Sequence, residues 1–230
     1  MRRCWFLLES QHSDRHAIQQ RRAMLPSSLT VWDENHTAEG SDISMTSPQA
    51  VSYWLLPAPE AQAVLDQLSA LASQALVACR LPPHITLYSE HLDGEHGVSQ
   101  EQVIAQLQQL ADCRQPVRLR PNAIEASLLF TQSLVLRFNA EAMTQLHPWF
   151  NHLRRQSAAE LGYRLDPHLS LLYSKDPFHL RQELAQRLPL PSDPLLFGRV
   201  SAVTHPLTIS SPADIAACTT LHACALSCTR

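Results

Sequence analysis

The pattern of apolar and polar residues changes near residue 48. Residues 1–47 mix charged and polar residues with no helical or strand period, which predicts an N-terminal extension with little structure of its own. Beyond it, an apolar run predicts a strand over 51–56, and apolar residues three and four positions apart predict an amphipathic helix over 60–78. Pro82–Pro83 then opens a second strand that ends near Ser89.

The rest of the chain alternates short strands with amphipathic helices. Further strands are predicted over 117–120, 123–129, 133–138, 166–173, 197–203 and 207–209, and helices over 99–111, 141–161 and 179–188. No tandem β-α-β series with a glycine turn occurs, so the pattern favours an α+β fold, as a sandwich or two-lobed sheet, over a doubly wound one. We expect one domain over 48–212 with two pseudo-symmetric lobes, followed by a C-terminal tail over 213–230.

Composition narrows the ways in which a phosphate group could be bound. Only 5 of 230 residues are glycine, against about 16 at average usage. None of the five lies in a G-x-G-x-x-G or P-loop spacing. A bound phosphate would therefore be held by side chains or by a helix N-terminus.

Charge and apolar content exclude two classes of partner. With 18 Lys+Arg against 21 Asp+Glu and a net charge of −3, the chain has no basic surplus for extended duplex nucleic acid. No apolar run approaches the ~18 residues of a membrane span, and the run over 4–8 ends at Glu9 before a signal peptide could form. We expect a cytoplasmic protein without a membrane partner. The six cysteines show no C-x-x-C pair, which favours scattered thiols over a metal site.

One internal repeat carries candidate chemistry. Residues 83–87 read Pro-His-Ile-Thr-Leu, and residues 167–171, which lie 84 positions later, read Pro-His-Leu-Ser-Leu. With 12 histidines in the chain, His-x-Ser/Thr alone occurs about twice by chance. The flanks make the pair specific, because both copies have a preceding proline, alternating aliphatic residues and a following Tyr-Ser, with Leu172 inserted in the second copy.

Strand geometry gives this repeat a chemical meaning. Side chains two residues apart point to the same face of a strand, so His84 lies beside Thr86 and His168 beside Ser170. If the two strands meet, the cleft holds two imidazoles and two hydroxyls. The hydroxyls suit the non-bridging oxygens of a phosphate, and two histidines supply acid and base near pH 7 without a metal. Arg137 interrupts an apolar strand and either projects towards such a cleft or marks a sheet edge.

The repeat resembles the paired motifs of the 2H phosphoesterases. The second motif and residues 52–57 are most similar to the cyclic phosphodiesterase branch known from plants and fungi. The resemblance implies a bilobal α+β fold with two facing antiparallel sheets, outer helices and a central cleft. It implies His84 and His168 as the acid–base pair and Thr86 and Ser170 as phosphate-binding hydroxyls. It also places two aromatic residues, Trp54 and Tyr173, near the base and phosphate sites. Tyr173 requires the strand to twist, because strict alternation puts it on the face opposite His168.

The resemblance also implies an activity. Such enzymes open 2′,3′-cyclic nucleotides, or ADP-ribose 1″,2″-cyclic phosphate, without a metal or other cofactor. Two alternatives are an enzyme that processes 2′,3′-cyclic RNA ends and a nucleotide- or RNA-binding module without turnover. We expect a monomer that binds a small nucleotide cyclic phosphate, or short RNA ends. The two copies are too alike to say which histidine is the acid and which the base.

Overall fold

The computed structural model describes residues 49–92, 97–157 and 161–227, and the extension predicted over 1–47 lies outside them. The described chain is α+β, with two antiparallel sheets and five α-helices, as the sequence predicts. None of the described helices is long and apolar enough to cross a membrane.

The first sheet has five strands in the order β3-β1-β8-β4, with β9 also paired to β8. Their bounds are Gln49–Pro57 for β1, Ile85–Leu92 for β3, Val117–Leu119 for β4, Leu195–Pro206 for β8 and Thr219–Ala225 for β9. The twelve-residue strand β8 spans the sheet, since β4 and β9 pair with successive parts of its outer edge. β1 lies between β8 and β3 and is buried along most of its length.

The second sheet has four strands in the order β2-β7-β6-β5. They span Ala78–Cys79 for β2, Pro121–Ala126 for β5, Leu134–Phe138 for β6 and His168–Ser174 for β7. The two copies of the sequence repeat therefore fall on β3 of the first sheet and β7 of the second. Each preceding proline lies at or just before the start of its strand, where no ladder hydrogen bond is lost.

The helices cover the sheets with apolar faces. They span Pro59–Ser73 for α1, Gln100–Asp112 for α2, Ala140–Gln156 for α3, Phe178–Arg187 for α4 and Pro212–Ala216 for α5. A capping box starts α2, because the Ser99 hydroxyl accepts from the Gln102 amide and the Gln102 side chain accepts from the Ser99 amide. The predicted helix at 141–161 ends at Gln156, with Pro148 inside it.

Both repeat strands carry a β-bulge at the same position. On β3, Tyr88 pairs with Tyr53 and Thr86 pairs with Trp54, so Leu87 is the extra residue. On β7, Leu172 and Ser170 pair with consecutive residues of β6, so Leu171 is the extra residue. A bulge shifts the alternation of side chains along the strand by one residue. The side chain three positions after the motif hydroxyl therefore points to the same face as that hydroxyl.

The bulges correct one detail of the repeat. Aligned by structure, Ser89 corresponds to Tyr173, and no residue is inserted. Tyr88 is buried in the core beneath β3, where its ring meets Phe150 and Tyr163 edge-on. The two Tyr-Ser pairs that follow the motifs in the sequence are therefore not equivalent positions.

Three further predictions about the elements differ from the structure. The first helix ends at Ser73 instead of 78, because the Val77 amide donates to Asp176 Oδ2 and the next two residues pair with β7. Residues 207–209 form no strand. The tail proposed over 213–230 contains α5 and β9, and β9 extends the first sheet. Its apolar and polar residues do not alternate, which is why the sequence pattern missed this strand.

Arg181 of α4 is a buried cation that ties three backbone segments together. Only 6% of it is exposed, and its guanidinium donates to the carbonyl oxygens of Asp176, Ser127 and Ser133. The last two residues flank a short 3₁₀ turn over Phe130–Gln132. The arginine thus fixes the loop between β5 and β6 against the end of β7.

Replacing Arg181 with methionine should destabilise the fold. The Arg181→Met variant removes all three hydrogen bonds, one to the buried Ser133 and two to the half-buried Asp176 and Ser127, and we expect the free energy of unfolding to fall by about 3 kcal/mol. Urea denaturation followed by circular dichroism measures the change. Arg187→Met, on the exposed face of the same helix, is the matched control and should stay near wild type. Equal stability of the two variants would contradict the role given to Arg181.

Candidate active site

A cleft between the two sheets brings the repeat residues together. It has a volume of about 200 Å³, and its walls contain all six residues that the sequence singles out: Trp54, His84, Thr86, His168, Ser170 and Tyr173. The first three come from the β1 and β3 side and the others from β7. Two larger depressions, of about 510 and 470 Å³, lie elsewhere and contain neither repeat histidine.

His84 stands at the entry to β3 in a fixed tautomer. Its Nδ1 lies 2.7 Å from the carbonyl oxygen of Pro82. A carbonyl can only accept, so Nδ1 carries the proton and Nε2 is the nitrogen left for a ligand. The imidazole stacks on Trp54 with ring centroids 3.6 Å apart and planes 8° apart. Burial against this ring lowers the pKa of His84 to about 4.

His168 repeats the same backbone contact on β7. Its Nδ1 lies 2.7 Å from the carbonyl oxygen of Asp166, again two residues upstream. The neutral ring therefore presents Nε2, as His84 does. The surroundings differ in one respect, since the Asp166 carboxylate lies 3.3 Å from the same Nδ1. A positive charge on this imidazole has a counter-charge beside it.

Asp166 is itself held by Arg137 of β6. Arg137 Nη1 lies 2.7 and 2.8 Å from the two carboxylate oxygens, and its Nε lies 3.2 Å from Glu125. Hydrogen bonds from His168 and Arg137 keep the pKa of Asp166 well below its usual range. Arg137 pairs with His168 across the strands, so it lies on the cleft side of its sheet, and its guanidinium also donates to Gln132 of the cleft wall. The alternative, that Arg137 marks a sheet edge, is wrong, because its strand lies between β5 and β7.

The two hydroxyls are placed differently. Ser170 Oγ donates to the carbonyl oxygen of Thr131 at 2.8 Å, so it must rotate to donate to a ligand. Thr86 lines the cleft, and its carbonyl oxygen accepts from Tyr163 at 2.9 Å. Tyr173 reaches the cleft because of the bulge at Leu171, which resolves the alternation problem that the sequence raises.

Trp54 and Tyr173 are cleft residues with little free surface. Each is 5% exposed. The Trp54 ring lies against His84, so its contact is with the candidate catalytic group more than with a ligand.

Sequence reasoning missed several polar residues of this region. Asp166 lies directly before the second motif and two positions before His168, where the sequence pattern predicts only a strand. Ser52, Ser89 and His205 also line the cleft. Strand alternation from Trp54 could have identified Ser52, whereas the bulge hides Ser89, and nothing in the sequence links His205 to the repeat.

Comparisons with known proteins identify the fold. No protein-family model and no curated protein sequence matches the chain. Among solved structures, TT0787 of Thermus thermophilus matches with 17% identity and a TM-score of 0.54, over 79% of this chain and 100% of that one. LigT of E. coli, complexed with 3′-AMP, matches with 16% identity and a TM-score of 0.50, over 78% and 99%. A structure described as a phosphoesterase matches with 17% identity, a TM-score of 0.50 and the same coverage.

These structures belong to the 2H phosphoesterase superfamily, and the chain has their fold. At this level of identity the matches establish architecture alone. They do not single out the plant and fungal branch, which stays a prediction from the sequence.

The low pKa of His84 makes stability depend on pH. Between pH 6.5 and about 4 the unfolded chain protonates this histidine and the folded chain does not, so the free energy of unfolding falls as the pH falls. We expect His84→Gln to reduce this slope in urea denaturation at several pH values. His179→Gln, at an exposed position, should keep it. An unchanged slope in His84→Gln would mean that His84 titrates normally in the folded protein.

Proposed function

We propose that this protein hydrolyses a cyclic phosphodiester in a small nucleotide-derived substrate by acid–base catalysis between two histidines. One observation carries the proposal: His84 and His168 line a single cleft, and each has its Nδ1 proton committed to a backbone carbonyl. Two imidazoles with free Nε2 atoms can serve the attacking and leaving oxygens of one phosphate. The 2H phosphoesterase fold supports phosphoester chemistry in general.

The different surroundings of the two rings support a division of roles. Burial keeps His84 neutral at neutral pH, as a general base must be. His168 has the Asp166 carboxylate beside it, which balances the charge of an imidazolium acid. In the proposed step, water attacks phosphorus and gives its proton to His84 Nε2. The bond from phosphorus to one ring oxygen breaks, and that oxygen takes the proton from His168 Nε2, which gives a phosphate monoester.

The charge of the cleft supports a diester substrate. Among the cleft-lining residues that the structure describes there is no lysine or arginine. A cyclic phosphodiester carries one negative charge, which one imidazolium balances, whereas the product monoester carries up to two. The Thr86 hydroxyl, and the Ser170 hydroxyl once it rotates away from Thr131, can donate to the non-bridging oxygens. The cleft thus matches the substrate charge better than the product charge, which favours release.

That the substrate derives from a nucleotide is proposed from the similarity of this chain to other proteins. LigT of E. coli, which shares the fold, was solved with 3′-AMP. The sequence motifs resemble those of enzymes that open cyclic nucleotides. The expected reaction uses no metal or other cofactor.

A substrate panel tests the proposal. We expect phosphorus NMR to show a new monoester with at least one of three substrate classes: 2′,3′-cyclic mononucleotides, oligonucleotides with cyclic ends, or ADP-ribose 1″,2″-cyclic phosphate. Preference for oligonucleotides would favour the RNA-end alternative. Binding without any monoester would favour the non-catalytic module and overturn the proposed activity. Turnover should be the same with and without EDTA.

Removing either histidine should abolish most of the activity. We expect His84→Asn and His168→Asn each to lower kcat about 100-fold or more, the usual effect of one positioned acid or base. His179→Asn is the control at an exposed position and should retain wild-type turnover. Near-normal kcat in either cleft variant would remove the two-histidine mechanism.

Asp166 should act through His168 as a positioning residue. We expect Asp166→Asn to lower kcat with little change in KM, because the carboxylate that lies 3.3 Å from His168 Nδ1 and balances the imidazolium charge is lost. Glu125→Gln is the matched control, since Glu125 also pairs with Arg137 but makes no contact with His168. A kcat for Asp166→Asn as high as that of Glu125→Gln would contradict this role.

A further inference from the structure

The cleft holds a third histidine that the proposed reaction does not use. His205 of β8, Ser52 of β1 and Ser89 of β3 come from three neighbouring strands and line the same cavity as His84 and His168. Ser52 Oγ lies 2.7 Å from His205 Nε2 and 2.7 Å from Ser89 Oγ. Together they form a continuous hydrogen-bonded chain, which we call the His205 chain.

The direction of every proton in the His205 chain can be derived. His205 Nδ1 lies 2.8 Å from the carbonyl oxygen of Pro206, which can only accept, so Nδ1 carries a proton. In the neutral ring Nε2 is then an acceptor, and Ser52 must donate its hydroxyl proton to it. Ser52 has no second proton, so the Ser89 hydroxyl donates to Ser52. Ser89 is left with oxygen lone pairs alone for a group in the cleft.

Two features of its surroundings keep His205 neutral near pH 7. Burial lowers the pKa of this histidine. The described groups that line the same cleft include two other histidines, His84 and His168, but no carboxylate that would stabilise a charge on it. The chain therefore keeps one direction under ordinary conditions.

From this arrangement we infer that the His205 chain is a substrate subsite in which Ser89 accepts a hydrogen bond from a hydroxyl or amino group on the nucleoside part of the ligand. The inference rests on the proposed function for the nature of that ligand. A 2′,3′-cyclic mononucleotide has its 2′ and 3′ oxygens in the ring, so its donors are the 5′-hydroxyl and the base amino group. Ser89 offers them an acceptor whose own proton is already committed.

Binding measurements test the subsite without requiring turnover. The ligands are adenosine 2′-phosphate, its 5′-deoxy analogue and the purine riboside analogue that lacks the amino group. Wild type should bind one of the two analogues about tenfold more weakly than the parent, the effect of one hydrogen bond lost at a partly buried site. Calorimetric titration gives the three dissociation constants.

Variants distinguish the loss of one hydrogen bond at Ser89 from a general disturbance of ligand binding in the cleft. Ser89→Ala should bind the parent and the discriminated analogue equally, and Ser89→Thr, which retains a hydroxyl, should preserve the difference. Ser52→Ala should also reduce the discrimination, because Ser89 then keeps its proton and can donate. Equal binding of all three ligands to wild type, failure of the parent to bind, or unchanged discrimination in Ser89→Ala would each overturn the subsite.

Measurements of turnover distinguish failure of the proposed subsite from failure of the proposed function. Discrimination in binding without hydrolysis of any substrate of the panel would defeat the proposed activity and leave the subsite standing. Hydrolysis without discrimination would defeat the subsite and leave the activity standing.

Discussion

The site depends on one repeated hydrogen bond, from histidine Nδ1 to the carbonyl oxygen two residues upstream. His84 makes it to Pro82 and His168 makes it to Asp166, both at 2.7 Å. The bond fixes the tautomer, orients the ring at the start of its strand and leaves Nε2 as the only nitrogen for chemistry. Proton transfer by a neutral imidazole requires this arrangement, because a ring that could donate from either nitrogen would not define an acceptor. The paired bulges at Leu87 and Leu171 then complete each strand by returning a third side chain to the cleft.

The two repeat strands are built alike, but the surroundings of their histidines differ. His84 is buried, which disfavours charge, whereas His168 lies beside a carboxylate that arginine holds in place. The same contrast recurs after the bulges, where the first strand presents Ser89 and the second presents Tyr173. Two equivalent strands therefore supply matching imidazoles and hydroxyls in different surroundings, and different side chains after the bulges. This is what a reaction with distinct attacking and leaving oxygens requires.

Much of the fold and of the site could be predicted from the local sequence pattern, whereas the remaining features depend on how the strands pair. The repeat identifies the four central residues and their faces, because strand alternation is a short-range property. The bulges could not be predicted, since an extra residue is defined only against its partner strand, and so the sequence aligns Tyr88 with Tyr173 although their positions differ. β9 lacks alternation and is a strand only because β8 offers it an edge. Arg137 and His205 gain their partners from elements 29 and 153 residues away in the chain.

If His84 and His168 act on one phosphate, both imidazoles respond when phosphate binds, and a histidine-detected NMR titration measures that response. Nitrogen-15 spectra of the imidazoles would be recorded while inorganic phosphate is added to the wild-type protein. We expect the Nε2 resonances of both rings to shift together, with one dissociation constant and one phosphate bound per chain, while both Nδ1 atoms remain protonated. Shifts confined to one of the two histidines, or two unrelated dissociation constants, would show that they do not act on one phosphate.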